Sequence, residues 1–192
     1  MLTIKNNINN ELIIKNSRFI TLLYKINTLE EVEMYLNDSK NLYQKATHYC
    51  YAYILNNYKK SNDDGEPSGT AGLPILNVLE KENINKVLVI VIRYFGGIKL
   101  GAGGLVRAYS KSVKEALNKS LLISLIPGKK IEITFDYSNQ KQIDYLLKDS
   151  IILNQNFQEQ ITYQVLIDNE NIHKLENYHY QILNDEYIEK DS

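Results

Sequence analysis

The sequence predicts an α+β protein of two domains, residues 1–127 and 128–192, and three observations lead to that prediction. Strand-like and helix-like segments alternate along the chain, and Val87–Ile92 is a continuous apolar run typical of a strand buried on both faces. Pro127-Gly128 then interrupts the pattern with residues that favour a turn. The net charge also changes sign near this point, because residues 1–128 hold 16 basic and 11 acidic side chains, whereas residues 129–192 hold 6 and 12.

The opposite charges of the two predicted domains leave two interpretations open. A basic first domain and an acidic second domain would suit different partners. The same charges would equally attract the domains to each other and only help them dock. Net charge bears on association and not on fold, so the sequence does not choose between these interpretations.

The composition favours a cytoplasmic protein that does not contact a membrane. Hydrophobic residues make up 44% and charged residues 23% of the 192-residue chain, which is typical of a globular protein. The apolar run Val87–Ile92 is far shorter than the roughly 20 residues that cross a bilayer. The segment Met1–Lys15 lacks the apolar core of a signal peptide. Cys50 is the only cysteine, so no intrachain disulfide can form. The sequence does not indicate whether the protein is a monomer or an oligomer.

The first domain begins with strand-forming residues at Glu11–Ile26, with a turn near Lys15–Ser17. Thr28 follows as a helix N-cap, and Glu31 three residues later completes a capping box for a helix that ends near Gln44. The remaining predicted elements are a strand at Thr47–Leu55, a polar loop at Asn56–Gly69, a helix at Ala71–Lys81, a strand at Lys86–Phe95, a glycine-dense loop at Gly96–Gly104, a helix at Leu105–Lys119 and a strand at Leu121–Ile126.

The second domain has the predicted order βαββαβ, which is the ferredoxin-like pattern. Its predicted elements are a strand at Lys130–Tyr137, a helix at Gln140–Lys148, strands at Ile151–Phe157 and Gln160–Ile167, a helix at Asn169–Tyr178 and a strand at Glu186–Lys190.

The glycine-dense loop is the strongest local feature of the sequence. It joins the predicted buried strand to a helix, and Arg93, Lys99 and Arg107 bracket it. The backbone N–H groups at a helix N-terminus and close-packed glycines suit an anion such as phosphate, which points to Gly101, Gly103 and Gly104 as binding positions. The loop matches neither the P-loop nor the dinucleotide fingerprint. The alternative interpretation is that the glycines only allow a tight turn and close packing.

The helix after this loop has two predicted faces. Four apolar residues at helical spacing are expected to face the sheet: Val106, Tyr109, Val113 and Leu117. Arg107, Lys111 and Lys114 share a different face, because they recur at i, i+4 and i+7. We expect these three cations to be exposed and, together with Lys99, to form a positive surface that binds phosphate groups of RNA.

The polar loop before the second helix contains three carboxylates, Asp63, Asp64 and Glu66. Within four positions they could hold a hard cation, although the spacing is not that of an EF-hand. The alternative is helix capping by Ser68 or Thr70, with the acidic groups near the positive end of the helix.

The strand at Thr47–Leu55 places His48 and Cys50 on one face and the tyrosines at 49, 51 and 53 on the other. A tyrosine row can stack on bases, but it is also typical of a half-buried sheet face. His48 and Cys50 point in parallel, so they do not form a catalytic pair, and a zinc site is poorly supported by one cysteine and three histidines. His173 and His179 are expected at the surface.

Several motifs together resemble the YigZ/IMPACT family. The strongest are Asp63–Gly72 and the stretch from Arg93–Gly97 through Gly103–Tyr109, and weaker ones are Ser17–Phe19 and His48–Ala52. These motifs are long, ordered and correctly interspersed, and the resemblance covers roughly residues 11–120. The acidic remainder is similar to the C-terminal domain of bacterial members in pattern and length only.

The resemblance implies a fold and a functional setting. In this family the N-terminal domain is similar to the second domain of a small-subunit ribosomal protein. The C-terminal domain is similar to the ferredoxin-like domains of elongation factor G. Eukaryotic members damp the amino-acid-starvation response by competing for the activator of a translation-initiation kinase. What the resemblance implies for this chain is a translation-linked, non-catalytic role, by fold-level analogy.

The leading hypothesis is therefore a regulatory binding protein that contacts RNA or a ribosome-associated protein, with no catalytic residue, cofactor or metal. One alternative is an enzyme for a phosphate-bearing substrate, in which the three carboxylates hold Mg²⁺ and Arg93, Lys99 and Arg107 hold phosphate. Another is a protein–protein adaptor. In each case we expect the acidic loop to lie near the glycine loop, with Arg93 or Arg107 neutralising at least one carboxylate.

Overall fold

The structure, a computed structural model, describes residues 1–190. The chain divides into two compact units, Met1–Ser124 and Leu125–Ser192. Both units are built on antiparallel sheets with helices, so the protein is α+β. None of the helices within residues 1–190 is long and apolar enough to span a bilayer.

The first unit contains one five-stranded antiparallel sheet. Its elements, in chain order, are β1 (Leu2–Ile4), β2 (Ile8–Ile14), β3 (Ser17–Lys25), α1 (Leu29–Leu42), β4 (His48–Leu55), β5 (Tyr58–Asn62), α2 (Gly72–Lys81), β6 (Val87–Tyr94) and α3 (Ala102–Asn118). The strand order in the sheet is β2-β3-β6-β4-β5. The short strand β1 lies outside this sheet and was not predicted.

Strand β6 is the centre of the first unit, as the apolar run predicts. Its side chains alternate between two buried clusters, because successive residues of a strand point to opposite faces. Val87, Val89 and Val91 pack with residues of α2 and α3, whereas Leu88, Ile90 and Ile92 pack on the face that α1 covers through Val32. The unit is therefore a sheet between two helical layers.

Local sequence determines the first turn and the first helix, and both predictions are confirmed. Lys15 and Asn16 have φ values of 45° and 63°, which suit the two-residue hairpin between β2 and β3. Thr28 caps α1, and its side chain and that of Glu31 form the predicted capping box.

Three predictions for the first unit are wrong. Part of the predicted loop Asn56–Gly69 forms the edge strand β5, which lacks apolar alternation because its side chains face solvent. The helix predicted from Leu105 begins three residues earlier, at Ala102, so Gly103 and Gly104 belong to its first turn. Val106 is 37% exposed and does not join the apolar face, whereas Tyr109, Val113 and Leu117 are buried as expected.

The second unit follows the predicted order except at its second helix. Its elements are β7 (Leu122–Phe135, which begins in the first unit), α4 (Gln140–Leu146), β8 (Ile151–Phe157), β9 (Ile161–Asp168) and β10 (Tyr180–Lys190). β9 pairs antiparallel with β7 and β8, and β10 pairs with β7. The helix predicted at Asn169–Tyr178 is only a 3₁₀ turn at Ile172–Leu175, although Leu175 still fills the core of this unit.

The prediction that Pro127-Gly128 ends a strand is also wrong, because β7 runs through both residues. Leu122–Ser124 pairs with β1 and Gly128–Phe135 pairs with β9. Pro127 lies between these two ladders, so its missing N–H removes no hydrogen bond to β1 or β9. Its carbonyl accepts a hydrogen bond from Asn169 N at 3.2 Å.

Candidate functional site

The sequence motifs of the first unit meet at one cavity of about 440 Å³. Strand β4, the acidic loop, the end of β6 and the glycine loop each contribute to its wall. Its lining residues are Thr47, His48, Glu66, Pro67, Arg93, Phe95, Lys99, Leu100, Gly101, Ala102 and Leu105. The predicted proximity of the acidic loop and the glycine loop is therefore confirmed for Glu66.

Glu66 forms a buried network beneath this cavity. Its Oε1 accepts hydrogen bonds from Arg93 Nη1 at 2.6 Å and from the Tyr109 hydroxyl at 2.8 Å. The ion pair confirms the expectation that Arg93 neutralises a carboxylate of the acidic loop. Because a buried ion must be paired and hydrogen-bonded, the three side chains depend on one another. Tyr109 was predicted only as a core residue.

Arg93 is 5% exposed and is held from several sides. Its Nη2 donates to Ser17 Oγ at 3.3 Å, and its guanidinium carbon lies 5.5 Å from the ring centroids of both Phe19 and Phe95. Its Nε is buried and has no hydrogen-bond partner among the described residues. Arg93 was predicted as an anion-binding residue that brackets the glycine loop, but its charge lies in the interior of the site, where it pairs with Glu66.

His48 is oriented by the acidic loop. Its Nδ1 lies 2.7 Å from the carbonyl oxygen of Asp64, which can only accept, so Nδ1 carries the proton. Its Nε2 faces the cavity and lies 3.8 Å from Glu66 Oε2, beyond hydrogen-bond range. In the neutral ring Nε2 is therefore an acceptor.

Cys50 lies behind this network and does not have the properties of a reactive thiol. It is fully buried, and burial raises the pKa of the Cys50 thiol to about 12. Its sulfur contacts the carbonyl of Asp63 at 2.9 Å and the hydroxyl of Tyr109 at 3.3 Å. Burial also raises the pKa of Tyr109, and the neighbouring Cys50 and Glu66 raise it further. The expectation that His48 and Cys50 do not form a catalytic pair agrees with this arrangement.

Asp63 stabilises the start of α2, a role that the sequence assigned to Ser68 or Thr70. Its carboxylate accepts N–H groups of Gly69, Ala71 and Gly72 at 2.8 to 2.9 Å. Burial alone would raise the pKa of Asp63, but these three backbone hydrogen bonds outweigh it and lower the pKa. Thr70 instead donates to the carbonyl of Pro67.

The other carboxylates of the acidic loop also have protein partners. Asp64 Oδ2 accepts the N–H of Tyr49 at 2.6 Å, and Glu66 pairs with Arg93. Within residues 1–190 no three side chains of the metal-binding types are grouped closely enough to hold an ion. The carboxylates therefore do not converge as the alternative of a magnesium site requires.

The cations of α3 are exposed, as predicted, but they do not form one group. Arg107 and Lys111 line a second cavity of about 240 Å³, together with Lys15, which the sequence did not suggest. Lys114 lies apart, beside Glu82. Lys111 also lies 3.6 Å from Glu115, but an exposed pair of this kind contributes little.

The first turn of α3 presents free backbone donors next to both cavities. The hydrogen bond from Leu105 N to the Gly101 carbonyl is the first of the helix, so the N–H groups of the three preceding residues have no partner within it. Gly101 lines the larger cavity and Gly104 the smaller one, and Leu100 lines both. The partial positive charge of the helix N-terminus is directed to this surface.

The glycine loop also has a structural role. A Cβ atom at Gly96 would lie 2.0 Å from the carbonyl carbon of Asn16, in the β2–β3 turn, so only glycine fits there. Gly101 has a φ of 70°, which favours glycine at the helix N-cap. The structural interpretation of the loop is confirmed for Gly96 and Gly101, and anion binding by the loop stays a prediction.

The tyrosine row of β4 is a half-buried sheet face that packs in the cluster under α1, which agrees with the structural alternative. His173 and His179 are exposed, as expected.

The comparisons with known proteins agree with these motifs. The family model described as the Impact N-terminal domain matches residues 15–117, which include the whole cavity. IMPACT family member YvyE of Bacillus subtilis is 42% identical over 154 residues, which are 79% of this chain and 71% of YvyE. IMPACT family member YigZ of Escherichia coli is 33% identical over 161 residues, which are 80% of this chain and 79% of YigZ.

One solved structure has the same fold over nearly the whole chain. It is described as the crystal structure of a hypothetical protein, and it aligns with a TM-score of 0.70 and 30% identity over 95% of both chains. The matched family domain, the similarity to bacterial relatives over most of their length and this structural likeness all indicate the same family. The chain belongs to the IMPACT family, as a member of the bacterial YigZ type.

Proposed function

We propose that this protein is a non-catalytic regulatory binding protein that contacts RNA through a basic surface on its first unit. We define the basic surface as Lys15, Lys99, Arg107 and Lys111. Its backbone donors are the N–H groups of the first turn of α3 and its glycine N-cap, which include Gly101, Gly103 and Gly104. Lys114 lies outside this surface and contributes only at longer range.

The observation that carries the proposal is the exposure of Arg107 and Lys111 at one cavity with Lys15. Cations that remain free for solvent can neutralise phosphates and release counterions, which is the main source of affinity for nucleic acid. The free N–H groups at the start of α3 add donors of the kind that bind phosphate at helix N-termini. The apolar face of α3 is buried, so the helix can present these groups rigidly.

The enzyme alternative is less well supported. Its magnesium ligands, Asp63, Asp64 and Glu66, each have protein partners, and its phosphate ligand Arg93 is buried against Glu66. Cys50 is protonated at any physiological pH. What remains is a cavity with ordered polar groups and no activated nucleophile, which suits binding better than covalent chemistry.

The link to translation comes from the family. Its eukaryotic members act in the starvation response, and its two domains are similar to a ribosomal protein domain and to the ferredoxin-like domains of elongation factor G. We propose on this ground that the RNA is ribosomal or ribosome-associated and that the protein acts in the cytoplasm. A ribosome-associated protein as the direct partner is the competing outcome of the test.

The test is affinity capture from native cytoplasmic extract, with and without nuclease. The bait is the full chain, compared with the variant Arg107→Ala/Lys111→Ala and with the control Lys40→Ala/Lys45→Ala. The control removes the same charge, but from the end of α1, on the other side of the sheet. We expect RNA to be recovered with wild type and control and to be lost with the α3 variant. Nuclease-resistant protein partners without RNA would contradict the proposal and favour the adaptor.

A further inference from the structure

The cavity lined by His48, Glu66, Arg93, Phe95 and Lys99 has the features of a small-ligand site. Its volume of about 440 Å³ lies in the range of roughly 300–1,000 Å³ that ligand pockets occupy. Apolar side chains form much of its wall, and a few polar groups converge on it. A wall of this composition, with few polar contacts to fix orientation, is typical of sites for small molecules.

The buried end of the cavity presents two acceptors. His48 Nε2 and Glu66 Oε2 lie 3.8 Å apart, and neither has a hydrogen bond within residues 1–190. The proton on Nδ1 leaves Nε2 as an acceptor in the neutral ring, and the carboxylate paired with Arg93 can only accept. Two acceptors at this separation suit one amino group, because its two N–H bonds diverge.

The open end of the cavity is positive. Lys99 is exposed there, and the free N–H groups at the start of α3 lie next to Gly101, which lines the cavity. A helix N-terminus is not specific by itself. Glu66 provides a second observation that this cavity takes a ligand, because it lines the same cavity, is 8% exposed and leaves Oε2 without a hydrogen bond among the described residues, whereas Arg93 is already paired with Glu66. At the open end, the exposed Lys99 and the N-terminus of α3 favour an anionic group on the ligand.

The ring of Phe95 also lines the cavity. It remains 46% exposed, although Arg93 packs against it. An exposed aromatic face beside cations is the usual platform for an unstacked base. The cavity therefore combines a flat apolar contact with two acceptors and a positive opening.

We infer that this cavity binds one nucleotide whose base carries an exocyclic amino group. The amino group lies between His48 Nε2 and Glu66 Oε2, the base contacts Phe95, and the phosphate lies at Lys99 and the first turn of α3. This inference rests on the proposed RNA binding for the source of the nucleotide, which is an unstacked residue of single-stranded RNA. A free nucleotide has the same chemistry, and the test separates the two sources.

The test compares cytidine and uridine monophosphate, which have the same shape but carry an amino group and a carbonyl oxygen at the same ring position. Binding to the ¹⁵N-labelled full chain is followed by the amide signals of Gly101, Gly103 and Gly104. We expect saturable binding of cytidine monophosphate that is about tenfold tighter than that of uridine monophosphate, because a carbonyl would face two acceptors. Lys99→Ala should weaken cytidine monophosphate binding about tenfold, and the exposed control Lys40→Ala should not.

Equal affinity for the two nucleotides, or no saturable shift at millimolar cytidine monophosphate, would overturn the inference. A 12-nucleotide RNA separates this result from the proposed function. If that RNA binds through the basic surface but cytidine monophosphate neither binds nor competes, RNA binding stands and the cavity inference fails. If cytidine monophosphate binds and the RNA binds no more tightly, the cavity takes a free nucleotide and the proposed RNA contact fails.

Discussion

At the residue scale, individual side chains, and the absence of a side chain at Gly96, determine how closely the loops around the cavity pack. Gly96 allows the glycine loop to approach the β2–β3 turn, and its N–H donates to Ser17 Oγ at 3.2 Å. Ser17 also accepts from Arg93, so this approach helps to hold the buried arginine. Asp63 holds the opposite loop on the start of α2. The cavity depends on these contacts more than on the propensities of its lining residues.

The first prediction concerns two glycines of the same motif. Gly96→Ala should lower the free energy of unfolding by about 2 kcal/mol or more, because the new Cβ would collide with the backbone of Asn16. Gly103→Ala makes the same chemical change inside α3, where the nearest atom outside the helix backbone would be an Arg107 nitrogen at 3.6 Å, and it should stabilise the protein by about 0.4–1 kcal/mol. Urea unfolding measures both, and equal effects would contradict the account.

The second prediction concerns the pH dependence of the Asp63 contacts. Asp63→Asn should lower the free energy of unfolding by about 1–2 kcal/mol at pH 7, because the new amide NH₂ would face one of the three backbone N–H donors. The pKa of Asp63 is lowered in the folded state, so its stabilisation is complete above about pH 5 and is lost as the pH falls through the folded-state pKa. Urea unfolding at pH 7, 5 and 3 should therefore show the difference between wild type and variant shrinking toward acid. A constant difference would show that the charge of Asp63 does not stabilise α2.

At the element scale, segments with a strong pattern were predictable and exposed or irregular segments were not. The apolar run of β6 and the capping box of α1 can each be recognised from a few neighbouring residues, so both elements were predicted. Strand β5 could not be predicted, because an edge strand with exposed side chains has no apolar alternation. The residues of α3 before Leu105 could not be assigned to a helix either, because two of the three are glycines, which are poor helix formers. Pairing with β4 forms β5, which is a contact that the local sequence does not encode.

Several residues of the candidate site could be predicted from the sequence, but some of their roles and neighbours could not. The motifs indicated Glu66, Arg93 and Lys99, and all three line the cavity. The sequence could not show that Tyr109 completes the Glu66 network, because its position on the apolar face of α3 marks it only as core. Nor could it show that Lys15 lies beside Arg107, since the two residues are far apart in the sequence and meet only because β2 packs against α3.

The third prediction tests which face of α3 is buried. Val113→Ala should destabilise the protein by about 2 kcal/mol, because Val113 is fully buried in the core shared with α2 and β6. Val106→Ala makes the same change at an exposed position and should stay within about 0.5 kcal/mol of wild type. Thermal unfolding of both variants checks this assignment. A larger loss for Val106→Ala would mean that the helix is rotated about its axis.

At the scale of the whole molecule, the central strand β6 of the first unit and the edge strand β8 of the second unit differ in how deeply they are buried. Every residue of β6 except the last is buried, and the strand has partners on both sides. Every residue of β8 is exposed, and within residues 1–190 its one partner strand is β9. The site and the basic surface both belong to the first unit, so the proposed function depends on the more deeply buried sheet.

The fourth prediction follows from this difference. Amide hydrogens of β6 should exchange most slowly with solvent, because they are released only by the largest unfolding events. Those of β8 should exchange orders of magnitude faster. Hydrogen exchange followed by mass spectrometry or NMR measures both segments in one experiment. Equal protection of β6 and β8 would contradict the expected hierarchy.

The central claim is that the basic surface binds RNA phosphates, and a salt titration of RNA binding tests it most directly. Affinity for a labelled 12-nucleotide RNA is measured at several salt concentrations for wild type, Arg107→Ala/Lys111→Ala and the control Lys40→Ala/Lys45→Ala. We predict that the α3 variant binds more weakly and that its slope of log affinity against log salt is flatter by about 1.4, because two phosphate contacts of about 0.7 each are lost. The control should match wild type. Identical slopes and affinities for wild type and the α3 variant would contradict the claim and leave a protein partner as the better account.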